Sequence, residues 1–116
     1  MKFKGVIYII GKYRASTEYG LKENIQEAEE AAIRLWRDGW VVICPHKNTA
    51  FLGGTCPDET FLEGDLVILA RCDAVYLLPN WIRSDGAKVE LELAQELGLE
   101  IIYGEENVTD RRFIQA

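Results

Sequence analysis

Residues 72–103 read CDAVYLLPNWIRSDGAKVELELAQELGLEIIY, and the pattern of apolar side chains changes twice along this segment. Two short apolar runs, at 73–79 and 100–104, are typical of buried strands. Between them, residues 85–97 carry apolar side chains at the spacing of one helix face, namely Val89, Leu93 and Leu97. Gly98 follows, as expected for a residue that ends a helix. The segment therefore predicts a strand, a helix and a second strand in succession.

The same alternation runs through the rest of the chain. We predict a strand at Phe3–Gly11, a helix at Asn24–Asp38, a strand at Trp40–Cys44 and a helix from Asp58 or Thr60 to about Arg71. Asn24 is the expected N-cap of the first helix, "KYRASTEYG" and Pro45–Pro57 read as loops, and residues 105–116 read as a short helix or an arm. Strands that alternate with helices favour a parallel sheet with helices on both faces. The prediction is one α/β domain over 1–116, a three-layer, doubly wound parallel sheet of four to five strands, flavodoxin/Rossmann-like.

Composition and charge exclude several classes of protein. No apolar run approaches the roughly 20 residues that cross a bilayer, so we expect no membrane segment and a cytoplasmic protein. The net charge is −6 and no basic patch is visible, which argues against duplex nucleic acid as a partner. The three cysteines form no CxxC pair, and His46 is the single histidine. We therefore expect no metal, and with no G-x-G-x-x-G after the first strand, no dinucleotide cofactor.

The residues that open the last helix, SDGAKVE at 84–90, suit a binding site. Ser84 either caps the helix or offers its hydroxyl to an anion, and Gly86 leaves room for a ligand to approach. Helical side chains tilt toward the N-terminus, so Glu90 should lean toward the strand edge as a nucleophile or general acid/base. The alternative is an ordinary helix start, since both serine and acidic residues are favoured there.

Three further positions are candidates, and two of them lie in loops that follow strand ends. "GKYR" at 11–14 follows the first strand, with Gly11 allowing a sharp turn and Arg14 able to bind a phosphate or pair with Glu90. An ordinary solvated loop is the alternative. Trp81 could stack on a base or fill an interface or local packing site. Asp73 starts the third strand, where it could equally be a structural turn residue at the opposite edge.

These residues resemble the pattern of the nucleoside 2-deoxyribosyltransferase-like superfamily. That superfamily includes 2-deoxynucleoside 5-phosphate N-hydrolases and a phage and bacterial group of unknown function. The resemblance covers Ile7 to Tyr103, on "IYIIGKYR", "WVVICP" and above all the segment 72–103. It is strongest to the group of unknown function, through "LLPNW" followed by S-x-G-A-x-x-E.

The resemblance implies a function and a role for each candidate residue. Glu90 would be the nucleophile on the sugar's anomeric carbon, Ser84 would hold a 5-phosphate, and Gly11 and Arg14 would lie along the sugar and phosphate. The remaining implied site residues are Tyr8 beneath the pocket, Tyr13, Trp81, Gly86 and a second catalytic residue, Asp73, for which Asp85 or a neighbouring subunit are alternatives. The partner would be a nucleoside or nucleotide, and the assembly a homodimer or larger homo-oligomer. Hydrolase, transferase, a non-catalytic nucleotide-binding module and a flavodoxin-like interaction domain all remain open.

Overall fold

The structure is a computed structural model, and it describes residues 1–104. Its elements, in chain order, are β1 (Val6–Ile10), α1 (Glu18–Arg37), β2 (Val41–Ile43), α2 (Pro45–Asn48), α3 (Asp58–Leu69), β3 (Ala74–Leu77), a 3-10 helix (Pro79–Arg83), α4 (Asp85–Glu96) and β4 (Glu100–Tyr103). The predicted tail at 105–116 lies outside the described residues. Within residues 1–104, no helix is both long enough and apolar enough to cross a membrane.

The strands form one sheet in the order β2-β1-β3-β4, and every pair is parallel. The predicted α/β class and doubly wound parallel sheet are confirmed. The chain leaves β1 in one direction to form β2 and returns past β1 to form β3. The carboxyl ends of β1 and β3 therefore flank the point where the connections diverge, which is where such sheets form their binding crevice.

Each face of the sheet packs against different helices. On one face, Ile7 and Ile9 pack against the alanines of α1. On the other face, Tyr8 and Ile10 pack with Leu69 at the end of α3 and Leu91 of α4. Alternate side chains of a strand point to opposite faces, so β1 is buried on both sides and its apolar run is continuous. Tyr8 consequently faces α4.

The first helix begins six residues earlier than predicted. Thr17 is the N-cap, and its hydroxyl accepts a hydrogen bond from the backbone N–H of Gly20 at 2.9 Å. Asn24 is therefore not a cap; its side-chain amide donates to the carbonyl oxygens of Tyr13 and Arg14. The prediction failed because Asn24 and its acidic neighbours resemble a capping pattern, whereas the actual cap lies in a segment with few apolar residues to mark it.

The other helices also differ in detail from the predictions. Pro57 is the N-cap of α3, so neither Asp58 nor Thr60 caps it. The predicted loop at 45–57 begins with α2. In α4 the predicted core stripe was wrong at Val89 and Leu97, which are 53% and 48% exposed, whereas Leu93 packs against the core. The buried stripe is Ala87, Leu91 and Ala94. Apolar residues occupy both stripes of this helix, and the small alanines allow its closer approach to the sheet.

Candidate active site

A cavity of about 600 Å³ opens at the carboxyl edge of the sheet. Four segments form its wall: the loop after β1, α2 and the residues that follow it, α3, and the start of α4. Its volume is in the range of small-molecule sites in proteins. Of the predicted site residues, six line it: Gly11, Tyr13, Arg14, Ser84, Gly86 and Glu90.

Glu90 lies on the wall of this cavity and contacts the sheet beneath it. The hydroxyl of Tyr8, itself completely buried, donates a hydrogen bond to Oε2 of Glu90. Burial raises the pKa of Glu90 to about 7, against the opposing effect of the Tyr8 hydrogen bond. Burial and the nearby Glu90 together raise the pKa of Tyr8 far above its usual range, so Tyr8 stays a donor. Tyr8 thus lies beneath the pocket, as expected.

Asp65 is a second carboxyl group in the same cavity, and sequence reasoning missed it. It lies on α3, and burial raises its pKa to about 6. Its charge also contributes to the raised pKa of Glu90, so the two groups interact. A signal was present: Asp65 lies three residues after Leu62 and four before Leu69, so its spacing puts it on the same side of the predicted helix as these two leucines.

Ser84 and Gly86 form the start of α4 at the cavity wall. The Ser84 Oγ accepts a hydrogen bond from the backbone N–H of Ala87 at 3.1 Å, so Ser84 is the N-cap. Its hydroxyl proton remains available for a ligand acceptor, because the cap uses an oxygen lone pair. A Cβ added to Gly86 would come within 3.8 Å of Leu62, which also lines the cavity. The absence of a side chain at Gly86 therefore leaves space in the cavity beside Leu62.

The loop after β1 is held in place by contacts that the sequence did not predict. The side chain of Asn80 is 4% exposed; its Oδ1 accepts from the backbone N–H of Lys12 at 2.8 Å, and its Nδ2 donates to Glu27 at 3.2 Å. A Cβ on Gly11 would lie 2.3 Å from Leu78 Cδ1, so this turn requires glycine. Asn80 and Gly11 thus fix the wall of the cavity where β1 ends.

Arg14 pairs with a carboxylate other than the expected one. Its Nη2 lies 3.0 Å from Oδ2 of Asp58, in the first turn of α3. Both side chains are exposed and both line the cavity. The predicted pairing with Glu90 is therefore wrong in this structure. The pair joins the loop after β1 to α3 across the cavity wall.

His46 is a further cavity residue that the sequence analysis treated only as a possible metal ligand. It is buried on α2, its Nε2 lies 3.1 Å from the carbonyl oxygen of Lys12, and its ring meets Tyr13 edge to face. Burial lowers its pKa, so the imidazole is neutral at pH 7. Nε2 then donates a hydrogen bond to the carbonyl oxygen of Lys12. This bond and the contact with Tyr13 hold the loop after β1 against α2.

Asp73 and Trp81 are not brought to the cavity. Asp73 precedes β3 at the amino edge of the sheet, where its Oδ2 accepts from the backbone N–H of Val6 at 2.8 Å. That position is opposite to the cavity, so the structure does not support the expected catalytic role. Trp81 lies in the 3-10 helix and packs against the core on the α4 face of the sheet. Local packing, one of its two alternatives, accounts for it.

The cavity wall therefore combines two kinds of chemical group. Glu90 and Asp65 supply two interacting carboxyl groups whose pKa values lie near neutrality, an arrangement suited to nucleophilic or acid–base chemistry. Arg14, Lys12 and the hydroxyl of Ser84 supply groups that bind anions. Within residues 1–104, no three histidine, cysteine, aspartate or glutamate side chains are grouped so that they could hold a metal ion.

Comparison with known proteins gives one family. The family model described as "Domain of unknown function (DUF4406)" matches residues 6–103, which include every element from β1 to β4 and the whole cavity. No curated protein matches the chain.

Proposed function

This chain belongs to the DUF4406 family, and on that premise we propose that it cleaves the N-glycosidic bond of a nucleoside or nucleotide. Glu90 is the nucleophile of the proposed reaction, and Asp65 is its general acid and base. The observation that carries the proposal is the partly buried Glu90, held by the Tyr8 hydroxyl in the wall of a cavity of about 600 Å³. The resemblance of residues 72–103 to the nucleoside 2-deoxyribosyltransferase-like superfamily supports the same reaction.

The proposed reaction has two steps, as in retaining glycosidases. In the first, a carboxylate oxygen of Glu90 bonds to the anomeric carbon while the bond from that carbon to the base nitrogen breaks. The electron pair of the broken bond goes to the base, which takes a proton from Asp65. In the second, Asp65 removes a proton from water, the water oxygen bonds to the anomeric carbon, and Glu90 is released as a carboxylate. A second base in place of water gives transfer instead of hydrolysis.

Both carboxyl groups of the proposed reaction titrate near neutral pH. Their pKa values are raised to about 6 and about 7, so near neutral pH the pair holds about one proton. The Tyr8 hydrogen bond favours charge on Glu90, which is the form that a nucleophile needs. The higher pKa of Glu90 places the shared proton on Glu90 in the free protein, so the proposed roles require that substrate binding moves this proton to Asp65.

A chromatographic screen for free base tests the proposal. Nucleosides, their 5′-monophosphates and NAD are incubated with the protein, and release of free base is expected from at least one of them. Glu90→Gln should abolish the release, since an amide cannot form the glycosyl ester. Glu92→Gln is the matched control, because Glu92 is an exposed glutamate on the same helix and should leave the release unchanged.

Other outcomes favour the two alternative functions. Ligand binding without base release, unaffected by Glu90→Gln, contradicts an enzyme and favours a non-catalytic nucleotide-binding module. If no nucleoside or nucleotide stabilises the protein or releases base, the interaction domain is the better explanation. Base release that survives Glu90→Gln at full rate refutes the assigned nucleophile.

Self-association is part of the proposal, as the resemblance implies. Val89 and Leu97 leave an apolar strip about half exposed on the outer side of α4, the helix that carries Glu90. Sedimentation equilibrium is expected to give a homodimer or larger species, and Val89→Lys should shift it toward the monomer. A monomer at all concentrations would contradict this part of the proposal.

A further inference from the structure

Arg14 and Asp58 form an ion pair, and both side chains line the cavity. The distance from Nη2 of Arg14 to Oδ2 of Asp58 is 3.0 Å, and the two side chains are 66% and 54% exposed. Exposed ion pairs of this kind contribute little to folding. A guanidinium can exchange such a partner for a phosphate, which it binds in a forked, two-bond geometry. The pair is therefore well placed for exchange with a ligand.

We propose that Asp58 is a specificity-determining residue of this site, which holds the Arg14 guanidinium until the phosphate of a nucleotide replaces it. This inference rests on the proposed function and narrows its substrate class to nucleoside monophosphates. Asp58 sets how strongly the site prefers a phosphorylated ligand over the same ligand without phosphate. Without the exchange, the phosphate would meet the Asp58 carboxylate beside an arginine that is already neutralised.

The charges that line the cavity explain why this exchange matters. The cationic side chains are Lys12, Arg14 and Arg83, and the acidic ones are Asp58, Asp65, Asp85 and Glu90. The carboxyl groups of Asp65 and Glu90 share about one proton near neutral pH. The four acids then carry about three negative charges, which balance the three cations. Arg14 lies within ion-pair distance of one of these carboxylates, so a phosphate that binds Arg14 must displace Asp58.

The position of Asp58 lowers the cost of releasing Arg14. Asp58 is the first residue of α3, and that helix has no side-chain hydrogen bond at its N-cap, Pro57. A carboxylate in the first turn of a helix is stabilised by the unpaired N–H groups and the helix dipole. Asp58 therefore keeps a favourable environment after Arg14 turns to the ligand. Arg14 can move because it lies in a loop that is fastened through backbone groups, including its own carbonyl to Asn24.

Calorimetric titration of ligand pairs tests the exchange. The protein carries Glu90→Gln, so that ligands are not consumed, and is titrated with the common deoxynucleosides and with their 5′-monophosphates. Asp58→Asn should raise the affinity for a monophosphate about two- to fivefold, and change that for its nucleoside much less. Arg14→Gln should lower monophosphate affinity about tenfold, and in that background Asp58→Asn should lose most of its effect.

Glu59→Gln is the matched control. Glu59 is the neighbouring acid in the first turn of α3 and is not among the residues that line the cavity, so it reports the general effect of removing one negative charge. If it raises monophosphate affinity as much as Asp58→Asn does, or if Asp58→Asn keeps its full effect without Arg14, the inference is wrong. Those results leave the proposed function intact. If neither ligand of any pair binds, the proposed function and this inference are both wrong.

Discussion

The hydroxyl of Tyr8, on the first strand, donates a hydrogen bond to Oε2 of Glu90, on the last helix, across 82 positions of sequence. Tyr8 faces α4 because alternate residues of β1 point to opposite faces, and its neighbours Ile7 and Ile9 pack against α1. The contact fixes the carboxyl group at the cavity wall and favours its charged form. Both effects are required of a nucleophile.

Tyr8→Phe should make the ionised form of Glu90 less stable. The hydrogen bond from Tyr8 lowers the pKa of Glu90, so its loss raises that pKa further. In the unaltered protein we expect a bell-shaped pH profile of kcat/KM with its maximum at about pH 6.5. In the variant, the maximum should move to higher pH and its height should fall. The profile is measured as the rate of base release between about pH 5 and about pH 9. An unchanged optimum would show that Tyr8 does not control the protonation of Glu90.

Glu90→Gln should stabilise the protein above neutral pH. The pKa of Glu90 is about 7 in the folded chain against 4.5 in the unfolded chain, so the folded state binds more protons between those values. Stability from this group is therefore lost as pH rises from about 4.5 through about 7. The glutamine variant avoids that loss, and its free energy of unfolding should exceed that of the parent by about 1–3 kcal/mol near pH 8.

Urea denaturation at a series of pH values measures the free energy of unfolding of the parent and of Glu90→Gln. The two plots against pH should converge near pH 4.5, the unfolded-state pKa of Glu90. A constant difference at all pH values would contradict the raised pKa.

Asp65→Asn should slow the departure of the base. Loss of a general acid costs typically about 10²- to 10⁴-fold in rate. The loss should be small for a 4-nitrophenyl deoxyriboside, since 4-nitrophenolate leaves without protonation. The readout is the rate of base release divided by the rate of 4-nitrophenolate release. Asp73→Asn is the control variant, because Asp73 lies at the opposite edge of the sheet. Equal losses for both substrates would assign Asp65 a binding role rather than an acid role.

Asn80 should act as a positioning residue for the loop after β1. Asn80→Asp keeps the acceptor for the Lys12 backbone N–H but places a carboxylate beside Glu27, whereas Asn80→Ala removes both hydrogen bonds. We expect KM to rise several-fold in the alanine variant, with kcat reduced less. In the aspartate variant, Glu27→Gln should restore much of the loss, since it removes the like-charge contact. Failure of this rescue would refute the proposed contact.

Gly11→Ala should destabilise the protein by about 1–3 kcal/mol, because the added Cβ overlaps Leu78 in a packed core. Gly64→Ala is the control: on α3, a Cβ at this position meets nothing within 4 Å, so the change should stabilise by about 0.5–1 kcal/mol. Thermal unfolding of the two variants gives the comparison. A neutral Gly11→Ala would mean that the turn adapts without moving Leu78.

Local patterns were enough to predict the order of the four strands and the three longer helices, and part of the site. Gly98 has a φ angle of +69°, as its position after a helix predicted. The spacing from Ser84 to Glu90 placed one residue at the N-cap of α4 and the other one turn inside, and both line the cavity. These features depend on hydrogen bonds and side-chain periodicity within a few residues, so the sequence by itself determined them.

Contacts between distant segments were decided only by the tertiary structure. The sequence of α4 has two apolar stripes, and either could have faced the sheet. The stripe of Ala87, Leu91 and Ala94 does so, because its small alanines allow closer packing. Asp65 reaches the cavity and Asp73 does not, because α3 approaches the carboxyl edge of the sheet while β3 begins at the amino edge. The partners of Glu90 and Arg14 follow from strand order and helix placement, which no local spacing encodes, since those contacts form only after the layers pack.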